Sequence, residues 1–174
     1  GLSHGAGPVA FLIGLAWFEE DEFVVRQLLL DDYDQEQAQL HLLLEQLGAR
    51  RYLVTYNGKS FDRSVLESRL VIQRFMDHRE AHLRLMPHLD LLHVGRRVFG
   101  GLLENHRLAT LEREILGFHR PDDIPGEMVP QYYFQYMLSG CGEHIEGVLK
   151  HNFDDVLSLA HLAHTLLEAI APSA

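Results

Sequence analysis

The chain has 174 residues, of which 47 % are apolar, and this is enough for one domain with its own hydrophobic core. Its formal net charge of −10 excludes a broad basic surface for nucleic acid, but it is compatible with a metal-dependent enzyme, whose site must be acidic to hold cations. No apolar run reaches the roughly 18 residues that a membrane span needs, and the single cysteine, Cys141, excludes an internal disulfide and so favours a reducing cytoplasm.

The first part of the chain predicts a β-hairpin, a helix and a third strand. Residues 9–17 are a short apolar run that opens after Gly7-Pro8, and residues 23–30 are a second such run after an acidic turn. Leucines at helical spacing predict a helix over residues 35–47, which Gly48 ends. Residues 52–56 are expected to form the third strand.

The rest of the chain predicts one more strand and several helices. Asn57-Gly58 breaks the third strand, and a short apolar stretch over residues 85–89 leads to Asp90. Helices are expected over residues 60–75, 91–99, 109–116, 129–139 and 153–170, with a proline-containing loop over residues 119–130. This order of strands and helices favours an α/β sheet covered by helices.

A first candidate site lies in the segment Tyr-Asn-Gly-Lys-Ser-Phe-Asp, residues 56–62. It falls where a strand ends and a helix begins, and ligand sites of α/β sheets lie at the carboxyl ends of strands. The carboxylate of Asp62 can hold a hard cation there, and Phe61 is expected to anchor the turn in the core. The alternative is that Asp62 only caps the helix, and this segment alone favours neither interpretation.

A second candidate site lies in the segment His-Asn-Phe-Asp-Asp, residues 151–155. Two adjacent acids on an otherwise apolar helix are costly to bury unless they are paired or bound to metal. The alternative is that Asp154 and Asp155 lie at the start of a helix, where the helix dipole favours acids. The segment alone leaves both interpretations open.

Together, the two segments resemble motifs II and III of the DEDD 3′–5′ exonucleases. Asn57 to Asp62 resembles the second motif, and His151 to Asp155 resembles the third, in which Tyr or His precedes an Asp. The spacing to Asp155 is that of the Tyr subtype, although His stands in the Tyr place, whereas the His-subtype spacing would fall on Val156. The resemblance therefore selects Asp155 as the ligand and leaves Asp154 as a weaker candidate.

The resemblance extends along nearly the whole chain. Leu89-Asp90-Leu91-Leu92 is similar to the family's strand-to-helix segment, whose Asp mainly supports structure, so Asp90 is expected near the site without binding metal. Residues 108–117 resemble the helix that follows. The closing His-Asn-x-x-Asp-Val-Leu-Ser-Leu stretch is also found in the predicted bacterial nuclease domain of YprB type. The fold implied is a single α/β domain over residues 1–174, with a ribonuclease H-like mixed sheet flanked by helices.

The activity that this resemblance implies is 3′–5′ exonucleolytic hydrolysis of phosphodiester bonds in single-stranded DNA or RNA. Two ions, Mg²⁺ or Mn²⁺, stabilise the attacking and leaving oxygens in such enzymes. By position, Asp62 and Asp155 are the expected ligands, so their carboxylates should lie close together. His151 is expected to orient or deprotonate the attacking water, and Asn57 and Lys59 are expected to contact the substrate.

The chain also departs from the family pattern. Gly1-Leu2 resembles the end of the family's first motif, so the Asp and Glu of that motif are expected immediately upstream, and the 174-residue chain is expected to have little or no activity. The family's first strand, which is central, is also expected to be missing and to leave a gap in the sheet. The alternative function is a non-catalytic nucleic-acid-binding or interaction domain with the same fold.

Overall fold

The computed structural model describes residues 2–4 and 7–171, in which the strands pair two by two. The first antiparallel pair is β1 (Leu2–His4) with β2 (Gly7–Val9), and the second is β3 (Leu12–Glu19) with β4 (Glu22–Leu29). The third pair, β5 (Leu53–Thr55) with β6 (His88–Asp90), is parallel. Antiparallel and parallel pairs are thus both present, but in three separate two-stranded ladders and not in one mixed sheet within the described residues.

The strand expected over residues 9–17 is split in two. β2 ends at Val9, β3 begins at Leu12, and the chain changes its pairing partner from β1 to β4 between them. Pro8 lies in β2 and cannot donate to a ladder. The second ladder is extended by one bond, because the Leu30 N–H donates to the Phe11 carbonyl at 2.7 Å.

Six α-helices surround the strands in the described ranges. They are α1 (Glu36–Gly48), α2 (Asp62–Ile72), α3 (Leu91–Phe99), α4 (Leu108–Leu111), α5 (Val129–Ser139) and α6 (Gly142–Ile170). The expected bounds of α3 and α5 are confirmed, and the helix expected over residues 109–116 is α4 followed by a π-helical turn, Glu112–Leu116. None of these helices combines the length and the apolar character that a membrane span requires.

The last helix begins eleven residues earlier than the sequence pattern predicts, at Gly142 and not at residue 153. Gly142 and Gly147 lower the helix propensity of this stretch, which explains why the local pattern missed it. Packing overrides that preference, since Ile145 and Val148 are buried in a cluster with Tyr133. A Cβ on Gly147 would lie 3.3 Å from the Ile124 side chain, so the small residue permits close packing.

The β3–β4 hairpin lies between two layers of helix. Its pair Ile13 and Leu28 is buried in one cluster with the leucines of α1. The neighbouring pair, Gly14 and Gln27, contacts α6 on the opposite face. Alternate residues of a strand point to opposite faces, so the hairpin fixes how α6 lies relative to α1.

A gap separates the hairpin from the parallel pair. Within the described residues, β3 is hydrogen-bonded only to β4, and β5 only to β6. Both β3 and β5 instead line one groove, with a volume of about 930 Å³. The hairpin and the parallel pair are therefore separate ladders within the described residues.

Candidate functional site

The groove between β3 and β5 brings the two candidate motifs together. Asn57 and Asp62 line it from the β5–α2 side, and Asp155 lines it from α6. Its volume is at the upper end of the ~300–1,000 Å³ typical of ligand pockets. Two acids that are distant in the sequence therefore face the same space.

The turn before Asp62 is shaped by its own residues and by Asp90. Asn57 has a left-handed backbone, with φ of 60°, and a Cβ on Gly58 would lie 2.6 Å from the Thr55 side chain. The Asp90 carboxylate accepts the backbone N–H of Asn57 at 2.7 Å and that of Lys59 at 3.0 Å. Asp90 thus holds the turn as a buried acceptor, which agrees with the supporting role expected for it.

Asp62 is the first residue of α2, and its side chain is exposed in the groove. The capping position belongs to Phe61, which makes no side-chain capping hydrogen bond. The expectation that Phe61 anchors the turn in the core is wrong, because 63 % of it is exposed. Desolvation in the groove raises the pKa of Asp62, and the charge of Asp90 adds to the rise.

Asp155 is positioned by the close contact of α6 with the hairpin. A Cβ on Gly14 would lie 2.5 Å from the Asn152 Oδ1, so only glycine lets the two elements approach this closely. Gln27 then donates to the Asn152 Oδ1 at 2.9 Å and to the Leu149 carbonyl at 2.7 Å. Because α6 begins at Gly142, Asp155 lies in the middle of a helix, and the interpretation of these acids as helix-start residues is wrong.

Arg120 binds Asp155 from a loop that the sequence pattern did not single out. Its Nη2 donates to the Asp155 Oδ1 at 2.8 Å and also to the buried Glu112 carboxylate. Its Nη1 donates to the His151 carbonyl at 3.3 Å and approaches the Asp123 Oδ2 at 3.5 Å. Burial nevertheless raises the pKa of Asp155 more than His151 and Arg120 lower it.

His151 lies beside Asp155 and is oriented by Asp123. Its Nδ1 lies 2.8 Å from the Asp123 Oδ1, and its Nε2 lies 3.6 Å from the Asp155 Oδ2. A hydrogen bond from Nδ1–H to the carboxylate leaves Nε2 as the acceptor that faces Asp155. An imidazole held in this way can accept a proton from a water molecule near Asp155.

The other predicted site residues lie at the edge of this arrangement. Asp154 is 8 % exposed, pairs with Lys150 at 2.7 Å and is not among the residues that line the groove. Lys59 is held through its backbone by Asp90 and does not line the groove either. The sequence analysis missed Glu112, Arg120 and Asp123, which lie on a π-helical turn and a proline-containing loop without a periodic signal.

The donors in the groove suit a hard divalent cation. Asp62 and Asp155 offer carboxylate oxygens, and Mg²⁺ is usually bound by one or two carboxylates together with water and substrate phosphates. A cation would compensate two ionised groups that desolvation disfavours. Across residues 2–4 and 7–171, however, no three His, Cys, Asp or Glu side chains are grouped so that they alone could hold a metal.

Two comparisons with known proteins identify the family to which the chain is similar. The family model that matches the chain, over residues 1–167, is described as the RNase H superfamily. A relative named Uncharacterized protein YprB, from Bacillus subtilis (strain 168), is 38 % identical over 162 residues. The match covers 93 % of this chain but 38 % of that relative, so the chain spans well under half of the relative's length. The predicted ribonuclease H-like fold and the similarity to the YprB type are thereby confirmed.

Proposed function

Because the chain belongs to the ribonuclease H superfamily, we propose that it is a metal-dependent 3′–5′ exonuclease domain that acts on single-stranded DNA or RNA in the cytoplasm. The observation that carries this proposal is that Asp62 and Asp155, which come from two separate motif segments, line one groove. A nuclease of this class needs carboxylates that converge where the scissile phosphate binds.

In this proposal, Asp62 and Asp155 are the metal ligands of this chain. When bound, two Mg²⁺ or Mn²⁺ ions stabilise the charge on the attacking and leaving oxygens of the phosphodiester. Asp90 acts indirectly, because its hydrogen bonds to the backbone of Asn57 and Lys59 fix the turn from which Asp62 begins its helix. Asp154 takes no part in this assignment, since it pairs with Lys150.

His151 removes the proton from the attacking water in this proposal. Asp123 holds the imidazole through Nδ1, so that Nε2 remains free to accept. Arg120 fixes the Asp155 carboxylate through Oδ1, and Oδ2 faces His151. Asn57 lies in the groove wall, where its amide can donate to a phosphate oxygen. In this proposal Lys59, which lies outside the groove lining, contacts the nucleic-acid backbone beside the groove.

A non-catalytic nucleic-acid-binding domain with the same fold is the second candidate. It is favoured by the bond from Arg120 to Asp155, because a guanidinium can compensate a carboxylate without any metal. The two candidates predict different results when the carboxylates are changed, so one assay separates them.

The test follows a 5′-labelled oligonucleotide of DNA or of RNA with Mn²⁺ or with EDTA, using the protein in its full encoded length. A 3′–5′ exonuclease shortens the labelled strand stepwise, and the ladder appears only with Mn²⁺. Asp62→Asn and Asp155→Asn should each lower the rate by at least about 10²–10³-fold, because each removes charge stabilisation of the transition state.

The matched control is Asp154→Asn, which changes the adjacent acid on the same helix and should retain activity. If Asp154→Asn abolished activity and Asp155→Asn did not, the ligand assignment would be reversed. Full activity in both groove variants would refute the proposed site. Binding of the oligonucleotide without any cleavage, on either DNA or RNA, would support the non-catalytic domain instead.

A further inference from the structure

Three arginines line the same groove as the two carboxylates. Arg63 belongs to the first turn of α2, Arg96 to α3, and Arg107 directly precedes α4. Arg96 and Arg107 are exposed, so their side chains lie at the mouth of the groove and not in its interior. The chain has a net charge of −10, yet three basic residues lie around this one groove.

These three arginines line the groove and have no carboxylate partner among the described residues. In the described part of the chain, Arg69, Arg84, Arg113 and Arg120 all form ion pairs, whereas Arg63, Arg96 and Arg107 form none. Their guanidinium groups are therefore available to an anion from solution. Arginine binds phosphate oxygens in a bidentate manner and is weakly hydrated, which suits a phosphodiester ligand.

The backbone around Arg107 is fixed at the groove. Tyr56 donates from its hydroxyl to the His106 carbonyl at 2.7 Å, and the Asn105 Oδ1 accepts the Arg107 N–H at 3.0 Å. Tyr56 directly precedes Asn57 in the motif turn, so this loop is tied to the segment that carries Asp62. Burial raises the pKa of Tyr56 to about 12, and the nearby charge of Arg96 opposes the rise. Arg96 therefore lies near Tyr56, and Arg107 directly follows the residue that the Tyr56 hydroxyl binds.

We infer that Arg96 and Arg107, together with Arg63, bind the phosphodiester backbone of the nucleic-acid strand and hold it next to Asp62 and Asp155. This inference rests on the proposed function, and it identifies how an acidic protein can bind a polyanion: three arginines without an ion pair lie around one groove. Because phosphates are contacted and not bases, binding is expected to be independent of sequence.

The test measures binding of a fluorescent single-stranded oligonucleotide in EDTA by anisotropy, with the full-length protein and at several salt concentrations. The double variant Arg96→Gln, Arg107→Gln removes two phosphate contacts. Each contact contributes roughly 0.7 to the slope of log affinity against log salt, so the slope should fall by about 1.4 and affinity at 0.1 M salt by about 25-fold.

Two control variants show whether the loss of binding is specific to the groove arginines and depends on charge. Arg97→Gln changes the neighbouring exposed arginine, which does not line the groove, and should leave both slope and affinity unchanged. Asp62→Asn should strengthen binding in EDTA, because it removes a negative charge that repels the strand. A merely structural role for the arginines would not change the salt slope.

The outcomes for this inference and for the proposed function can be told apart. If the double variant binds with the wild-type slope while Asp155→Asn loses cleavage, the arginine site is refuted and the nuclease proposal stands. If the double variant loses the predicted slope while Asp62→Asn and Asp155→Asn cleave normally, the metal-ligand assignment fails and the arginine site stands. If wild-type protein binds neither DNA nor RNA, the arginine site is refuted. Parallel measurements with DNA and RNA probes also identify which nucleic-acid backbone the arginine site prefers.

Discussion

The side chains of Arg69 and Arg120 are both buried beside a buried glutamate, but only Arg120 also binds a carboxylate that lines the groove, that of Asp155. Arg69 binds the two oxygens of Glu36, with Nε to Oε1 at 2.5 Å, and Gln73 adds a third donor at 2.6 Å. This pair joins the start of α1 to α2 and is balanced, with one guanidinium for one carboxylate. Neither residue lines the groove.

The Arg120 centre, defined as Arg120 with Glu112, Asp123, Asp155 and His151, is not balanced. One guanidinium faces three carboxylates, and the side chain of Asp155 is 40 % exposed towards the groove. The buried part, Arg120 with Glu112, resembles the Arg69 pair, whereas the exposed part carries the excess of negative charge. Charge balance and exposure, more than the presence of a buried ion pair, therefore separate a structural pair from a candidate site.

The largest effect, on the free energy of unfolding, is expected when the carboxylate is removed from the buried pair of Glu36 and Arg69. Glu36→Ala leaves Arg69 buried without its carboxylate and should lower the free energy of unfolding by about 3–5 kcal/mol. Urea denaturation followed by circular dichroism measures the change. The double variant Glu36→Leu, Arg69→Met should recover most of the stability, because an apolar pair needs no compensation.

The matched control for this prediction is Glu67→Ala. Glu67 pairs with Arg84, whose side chain is 76 % exposed, so the loss should be below about 1 kcal/mol. Cleavage per folded molecule should be unchanged in Glu36→Ala. A loss of cleavage at full stability would contradict the structural role of the pair.

A smaller effect, and one on catalysis, is expected at the exposed part of the Arg120 centre. Asp123→Ala removes the acceptor that orients His151 and should lower kcat by about 10–100-fold, with KM little changed. Asp123→Asn keeps an acceptor oxygen for Nδ1–H and should retain most of the activity. Equal rates for the alanine and asparagine variants would exclude this positioning role.

The smallest effect is expected at Asp62, which lines the groove from the α2 side, and its sign is opposite to that at Glu36. The folded pKa of Asp62 is raised, so between the unfolded value of ~3.9 and the folded pKa the folded state binds more protons than the unfolded state. The contribution of this carboxyl to stability is therefore present at acidic pH and is lost as the pH rises through the folded pKa. In contrast to Glu36→Ala, Asp62→Asn should stabilise the metal-free protein at pH 7, by less than about 1 kcal/mol because Asp62 is exposed.

Thermal unfolding of metal-free protein between pH 4 and pH 7 measures this difference. The advantage of Asp62→Asn over wild type should grow with pH and then level off. Asp77→Asn, at an exposed acid away from the groove, should show no such trend. A constant difference between Asp62→Asn and wild type at every pH would mean that the groove does not raise the pKa of Asp62.

The position of Asp62 could be predicted from sequence because its signals are local. The strand over residues 52–56, the break at Asn57-Gly58 and the following helix appear as β5, the left-handed turn at Asn57, and α2. The Asp90 segment was predictable for the same reason, since α3 begins directly after that acid. In both places, neighbouring residues in the sequence end the strand and begin the helix, and so determine where the Asp side chain lies.

The surroundings of Asp155 could not be predicted, because they depend on long-range contacts. The start of α6 is stabilised by packing of Ile145 and Val148 against Tyr133, and not by local helix propensity. Arg120 lies in a loop with no periodic pattern, and only the folded chain brings it to Glu112 on one side and Asp155 on the other. The unpaired state of Arg96 and Arg107 is likewise a property of the folded structure.

The most direct test of the central claim, that Asp62 and Asp155 form one cation site, is calorimetric titration of Mn²⁺ into the full-length protein. Wild type should bind Mn²⁺, and Asp62→Asn and Asp155→Asn should each weaken that binding at least about tenfold, since two carboxylates share the ion. Asp154→Asn should bind Mn²⁺ as wild type does. Equal Mn²⁺ affinity in wild type and in both groove variants would contradict the account.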